Sequence, residues 1–227
     1  MSGAPVPGST VCLPMSDGEV SVPAAWLERG APPLEVDFGC HRGAFLVGMA
    51  TLHPAGNFLG IERQALRVAK CCSKITRLGL SNAWAVQGEG PDPLRRLLPD
   101  GSVSVFHVSF PDPWPKRRHA ARRLVNAEFL EEVRRVLRPD GVLRLMTDDE
   151  PYFREMEELT AAGWSVVSWD DGREVVPTAF EITFRQMGKS PFRRALTPQG
   201  PVPAQHPSAG DVRPARELGN FPDSEIP

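Results

Sequence analysis

Residues 34–62 read LEVDFGCHRGAFLVGMATLHPAGNFLGIE. Leu34–Phe38 is a short apolar run that stops at Gly39, the pattern of a buried strand. Gly43–Leu52 reads as a helix, and Asn57–Ile61 as a second strand that ends at Glu62. Strand, glycine turn, helix and strand make one βαβ unit, whose two strands lie parallel.

The alternation continues outward from that unit. Residues 63–78 place apolar groups at helical spacing, and Gly79 closes the helix. Ala83–Val86 and Ser102–Val108 are a third and a fourth strand. Residues 126–137 form an amphipathic helix with Asn126 as its N-cap. Pro139-Asp140-Gly141 turns the chain into a fifth strand, Val142–Met146, and a helix follows from about Pro151. Strands near Trp164–Trp169 and Thr178–Arg185 complete the set. Strands that alternate with helices predict an α/β, Rossmann-like fold, a mostly parallel seven-stranded sheet with helices on both faces.

Composition sets the limits of this domain. The chain has 227 residues, 41% of them hydrophobic, but also 24 prolines. Seven of the prolines fall in residues 197–227. That segment has too little apolar surface to offset its ordering entropy and reads as a disordered tail. Residues 1–9 (MSGAPVPGS) read the same way, which leaves a single domain over 10–196. No signal peptide or membrane-length apolar run is present, so a cytoplasmic protein is expected. Cys12, Cys40, Cys71 and Cys72 form no Cys-x-x-Cys pair, which predicts neither a metal site nor a disulfide framework, only thiols. The net charge of −2 means that any basic surface is local.

In parallel sheets ligands sit at the carboxyl ends of the strands. Here those ends carry acids or a glycine turn. Gly39-Cys40-His41-Arg42-Gly43 follows the first strand and is not the dinucleotide fingerprint, because His41 takes the central glycine place. Glu62 ends the second strand, where an acid can accept two ribose hydroxyls. Glu89 follows the third, as a partner for an adenine amino group or as plain loop. Asp112 follows the fourth. A row of carboxylates suits a nucleoside better than a pyrophosphate, which wants amides and cations. S-adenosylmethionine, an adenosine with a sulfonium and an amino-acid end, fits the row.

Residues 110–123, FPDPWPKRRHAARR, set a rigid loop against the most basic stretch of the chain. From Lys116 to Arg144 there are nine Lys/Arg against four Asp/Glu. Beside a Pro-Trp platform such a run favours phosphate binding over a merely solvated face.

FPDPWPK followed by RRHAARR resembles the signature of bacterial tRNA (guanine-N7)-methyltransferases, which read roughly FPDPW-x-K-x-RH-x-KRR in that place. Thr147-Asp148 is similar to the family's Thr-Asp, and Thr178-Ala179-Phe180-Glu181 to its T-x-[FY]-E. The resemblance spans residues 34–194. It implies a class I S-adenosylmethionine-dependent methyltransferase fold. The implied reaction is methyl transfer to N7 of the variable-loop guanine at position 46 of tRNA, without a metal, by a monomer or homodimer. It implies Glu35, Gly39, Glu62, Glu89 and Asp112 as cofactor ligands, with Asp112 also the catalytic acid. Lys116, Arg118, His119, Arg122 and Arg123 match the RNA-contacting stretch. Asp148, Thr178, Phe180 and Glu181 match other substrate contacts. His41 stands where the family has a glycine, and a positive φ there would cost on the order of 1 kcal/mol.

Guanine N7 has a free lone pair and no proton, so the reaction needs alignment rather than a strong base. Three prolines supply rigidity, Trp114 a wall, and Asp112 a hydrogen-bond partner that orients. Phe192-Arg193-Arg194 reads as one more phosphate contact or as an exposed C-terminal segment. Two other functions are compatible with parts of the sequence. Asp112-Pro113-Trp114 resembles the [DN]-P-P-[FYW] of adenine N6-methyltransferases, without the second proline. His41 would suit an RNA-binding paralogue impaired in catalysis.

Overall fold

A computed structural model describes residues 22–115 and 117–200. The expected disordered ends, apart from residues 197–200, and the expected substrate contact Lys116 lie outside them. Among the described residues seven strands form one sheet: β1 (Leu34–Phe38), β2 (Asn57–Glu62), β3 (Ala83–Gln87), β4 (Val103–Ser109), β5 (Leu137–Thr147), β6 (Trp164–Val167) and β7 (Phe192–Pro198). Their order is β3-β2-β1-β4-β5-β7-β6. β1 to β5 pair in parallel, and β7 runs antiparallel between β5 and β6.

The helices are α1 (Ala44–Leu52), α2 (Ala65–Arg77), α3 (Asp92–Leu97), α4 (Ala127–Val136), α5 (Glu150–Leu159) and α6 (Ala179–Gln186). Two apolar clusters separate the faces of the sheet. Phe45, Met49, Cys71 and Ile75 of α1 and α2 pack on Phe58, Ala83 and Ala85. Phe129, Val133, Tyr152 and Met156 of α4 and α5 pack with Leu59, Ile61, Phe106 and Leu143. Neighbouring residues of β2 thus serve opposite layers, as the strand pleat requires. Asn126 caps α4 as expected, its side chain accepting from Phe129 N at 3.0 Å.

Four expectations are corrected. Thr178–Arg185 is not a strand: Thr178 caps helix α6, in a reciprocal capping box with Glu181. The last strand is β7, so Phe192-Arg193-Arg194 is sheet and not an exposed end. Pro139-Asp140-Gly141 does not precede the fifth strand but lies within β5, where the pairing with β4 shifts register. Finally, Cys40 and Cys71 are free buried thiols, but Cys72 is disulfide-bonded.

Sheet order reverses between β1 and β4, which open a crevice at their carboxyl ends.

Candidate active site

The crevice is a cleft of about 710 Å³, within the range of small-molecule sites. Its floor is the turn after β1. Gly39 has φ 86° and Gly43 φ 70°. A Cβ on Gly43 would come within 2.2 Å of Cys71 Sγ, so only glycine lets the turn seat on α2. A Cβ on Gly39 would meet nothing within 4 Å; the turn leaves open space there. His41 holds φ 53° and lines the cleft. Its backbone N–H donates to Glu62 Oε2 at 3.1 Å.

Glu62 ties the floor to β2. Its other oxygen accepts from Gln64 N at 3.0 Å and faces Arg67 at 3.6 Å. Close by, Asp37 is buried at 6% exposure, and its Oδ2 has no hydrogen-bond partner among the described residues. Burial, reinforced by the Glu62 carboxylate, pushes Asp37 up to about 7. An orphaned carboxyl beside a second acid, both on the cleft wall, is suited to a cation.

The far wall is the loop after β4. Phe110 (φ 53°) and Trp114 (φ 42°) both adopt the left-handed region, which costs a non-glycine residue of order 1–3 kcal/mol. Phe110 stacks on Phe180 and Phe184 of α6 at 5.4 and 5.8 Å between centroids. Asp112 is exposed. Arg63 bridges it to Glu89, at 3.6 Å from Asp112 and 3.7 Å from Glu89. Arg122 stands over the Trp114 ring at 5.1 Å, and His119 meets its edge at 5.7 Å.

A family model described as "Putative methyltransferase" matches residues 31–193. The tRNA (guanine-N(7)-)-methyltransferase of Serratia proteamaculans (strain 568) is 38% identical over 168 residues, covering 70% of this chain and 70% of that protein. The chain belongs to the tRNA (guanine-N(7)-)-methyltransferase family. The Thermotoga maritima protein of the same name is 34% identical over 160 residues, which are 69% of this chain but 51% of that one. Among solved structures, the aminoglycoside resistance methyltransferase NpmB1 aligns with a TM-score of 0.54 at 22% identity, over 74% of this chain and 89% of that chain. That last likeness shows the methyltransferase fold alone.

In this methyltransferase the cleft gathers Gly39, Glu62, Glu89, Asp112, Arg122, Thr178 and Phe180 of the residues expected from sequence. Arg118 and His119 lie beside it, and Arg118 Nε donates to His119 Nε2 at 3.3 Å. Asp148 is exposed beyond β5 and not on the cleft wall.

Three further expected site residues are placed elsewhere. Glu35 is buried mid-strand, away from the cleft. His107 Nε2 lies 3.0 Å from it, and Arg173 completes an ion pair. Burial alone would push Glu35 up, but the hydrogen bonds from His107 and Arg173 hold it down at about 2. Glu181 is engaged by the α6 cap and by Arg193. Arg123 turns inward rather than to solvent. The acid that the sequence reading missed is Asp37. Two residues closer to the turn than Glu35, it lies roughly 7 Å nearer the strand end. Arg63 was missed as well, since a cation next to Glu62 has no distinguishing pattern.

Proposed function

We propose that the protein methylates N7 of the variable-loop guanine at position 46 of tRNA. The observation that carries this reading is the single cleft shared by the unpartnered Asp37 carboxyl and the Pro-Trp loop with Asp112, in a chain of this family. S-adenosylmethionine, when bound, supplies an electrophilic methyl group. Asp37 would hold its ammonium end, Glu62 the ribose hydroxyls and Glu89 the adenine edge. The open space at Gly39 lets backbone come close to the methionine end. These donors fit the cofactor, and no metal ligand set occurs among the described residues.

The remaining task is alignment. Phe110 and Phe180 offer flat surfaces to a purine, and Asp112 accepts a guanine N–H so that N7 points along the reaction axis. No proton has to leave N7, so Asp112 orients and does not deprotonate. Arg118 and His119 meet tRNA phosphates beside the cleft, and Arg122 meets one at its wall. Such an enzyme would work in the cytoplasm, and among the described residues no helix is long and apolar enough to cross a membrane.

The test is transfer of labelled methyl to unmodified tRNA, followed by cleavage at N7-methylguanine. Label at the variable-loop guanine is expected. Asp112→Ala should lower kcat by about 100-fold or more, the cost of a misaligned reactant, with tRNA affinity retained. Wild-type kcat in that variant would remove Asp112 from the chemistry. Label at an adenine amine, or tRNA bound without transfer, would favour one of the two other readings.

A further inference from the structure

The two arginines that close the basic run have opposite surroundings. Arg122 stands over Trp114 at the cleft. The Arg123 side chain is 13% exposed and points into the protein. Its Nε donates to the Pro113 carbonyl at 2.7 Å, and Nη2 reaches the Trp114 carbonyl at 3.5 Å. Nη1 pairs with Glu155 of α5. The guanidinium lies 4.9 Å from the centroid of Tyr152. That ring is fully buried, and its hydroxyl accepts from Val125 N at 3.0 Å. Even the Arg123 backbone is held, its carbonyl accepting from Asn126 Nδ2 at 3.2 Å.

Pro111, Pro113 and Pro115 have no N–H, so this loop has few donors of its own with which to close on itself. Trp114 also holds an unfavourable φ, which persists only if the surroundings enforce it. A guanidinium can do so because it presents Nε and Nη donors in one fixed plane while its face rests on an aromatic ring. An ammonium has neither property.

We infer that Arg123 is a positioning residue for methyl transfer: it makes no contact with tRNA and instead fixes the Pro-Trp loop, with Asp112 and Trp114, by holding the Pro113 and Trp114 carbonyls. The inference rests on the methyltransferase reading above. It assigns the final arginine of the motif to the loop that precedes it, where sequence alone would give it to the RNA backbone.

The experiment uses the full chain with Arg123→Lys and, separately, Glu155→Gln. Four quantities are read: kcat, the Kd for tRNA as a function of salt, the Kd for S-adenosylhomocysteine, and Tm. Lysine keeps the charge and loses the fork. Expected for Arg123→Lys is a kcat at least about tenfold lower, with both Kd values within about twofold and an unchanged salt slope. A phosphate-binding arginine would give the reverse: kcat at saturating tRNA kept and tRNA affinity lowered by more than about twofold, the slope staying put because the charge is kept. Wild-type kcat in Arg123→Lys, or a tRNA affinity that falls in step with kcat, overturns the inference. Should Arg123→Lys not fold, Glu155→Gln decides, because Glu155 is 36% exposed and among the described residues its polar partner is Arg123. A lowered kcat at unchanged tRNA affinity is expected there, and an unchanged kcat overturns the inference. Absence of transfer by the wild-type protein would instead sink the methyltransferase reading, so the two failures are distinguishable.

Discussion

At Asp37 binding and stability pull in opposite directions. Burial and Glu62 raise its carboxyl from 3.8 to about 7. A raised folded-state value in an acid means that the native protein holds the proton more tightly than the unfolded chain. Its contribution to stability is therefore complete below 3.8 and is lost as pH rises to about 7. The loss is on the order of 4 kcal/mol. Binding has the opposite sign, since only the ionised carboxylate attracts an ammonium. The affinity for S-adenosylhomocysteine should rise from pH 6 toward pH 8, with a shoulder near 7, when followed by calorimetry. Asp37→Asn should flatten that profile and weaken binding at pH 8 at least about tenfold, while Tm at pH 8 rises by about 2 °C or more. An affinity independent of pH in the wild-type protein would separate Asp37 from the ligand. Sequence could not rank Asp37 against Glu35: both are acids of one strand with one pleat direction. Only the contacts of Glu35 with His107 and Arg173 reveal which is spent on the fold.

Elements were legible where pattern and burial agree. β1, β2 and β4 are short segments rich in apolar residues and bounded by turn signals, and α2 and α4 are amphipathic with clear ends. The C-terminal third was harder. Thr178-Ala179-Phe180-Glu181-Ile182-Thr183-Phe184 alternates like a strand, with Phe180, Ile182 and Phe184 two apart. The helix wins because Thr178 and Glu181 form the capping box, and because Phe180 and Phe184, four apart, both stack on Phe110. β7 was hidden by its arginines. Arg193 and Arg194 sit in the sheet because Glu181, Glu157 and the rings of Trp169 and Phe153 receive them. The segment between β6 and α6 was unreadable, since its anchors are distant in sequence. Arg173 reaches Glu35, Asp171 meets Arg144 at 2.7 Å, and the His53 ring bonds the Glu174 carbonyl at 2.7 Å. That strap delivers Thr178 and Phe180 to the cleft. Arg173→Ala leaves Glu35 buried beside a histidine that burial keeps low, so it should cost about 3 kcal/mol and lower kcat as α6 loosens. Urea denaturation measures the first effect; a loss under about 0.5 kcal/mol would mean that the pair contributes no more than a surface bridge.

For the whole molecule, function follows from where one topology places two kinds of charge. The acids lie at the carboxyl ends of adjacent parallel strands, and reading the strands was enough to find Glu62, Glu89 and Asp112. The cations follow the same strand ends outward, in a chain whose net charge is only −2. Global charge therefore gave no sign of an RNA partner, and the local run did. What the run could not show is how its arginines divide: Arg118 is exposed and Arg122 faces the cleft, whereas Arg123 is half-buried and turned inward beneath the loop. The division predicts how tRNA affinity responds to salt. Each phosphate neutralised adds roughly 0.7–0.9 to the slope of log K against log salt. Arg118→Ala with Arg122→Ala should reduce the slope by about 1–2, with Kd for S-adenosylhomocysteine unchanged. The same titration on Arg123→Ala should keep the wild-type slope, because that side chain meets no phosphate. An unchanged slope in the double variant would mean that the exposed basic run does not meet phosphate, and that tRNA approaches the cleft across another face.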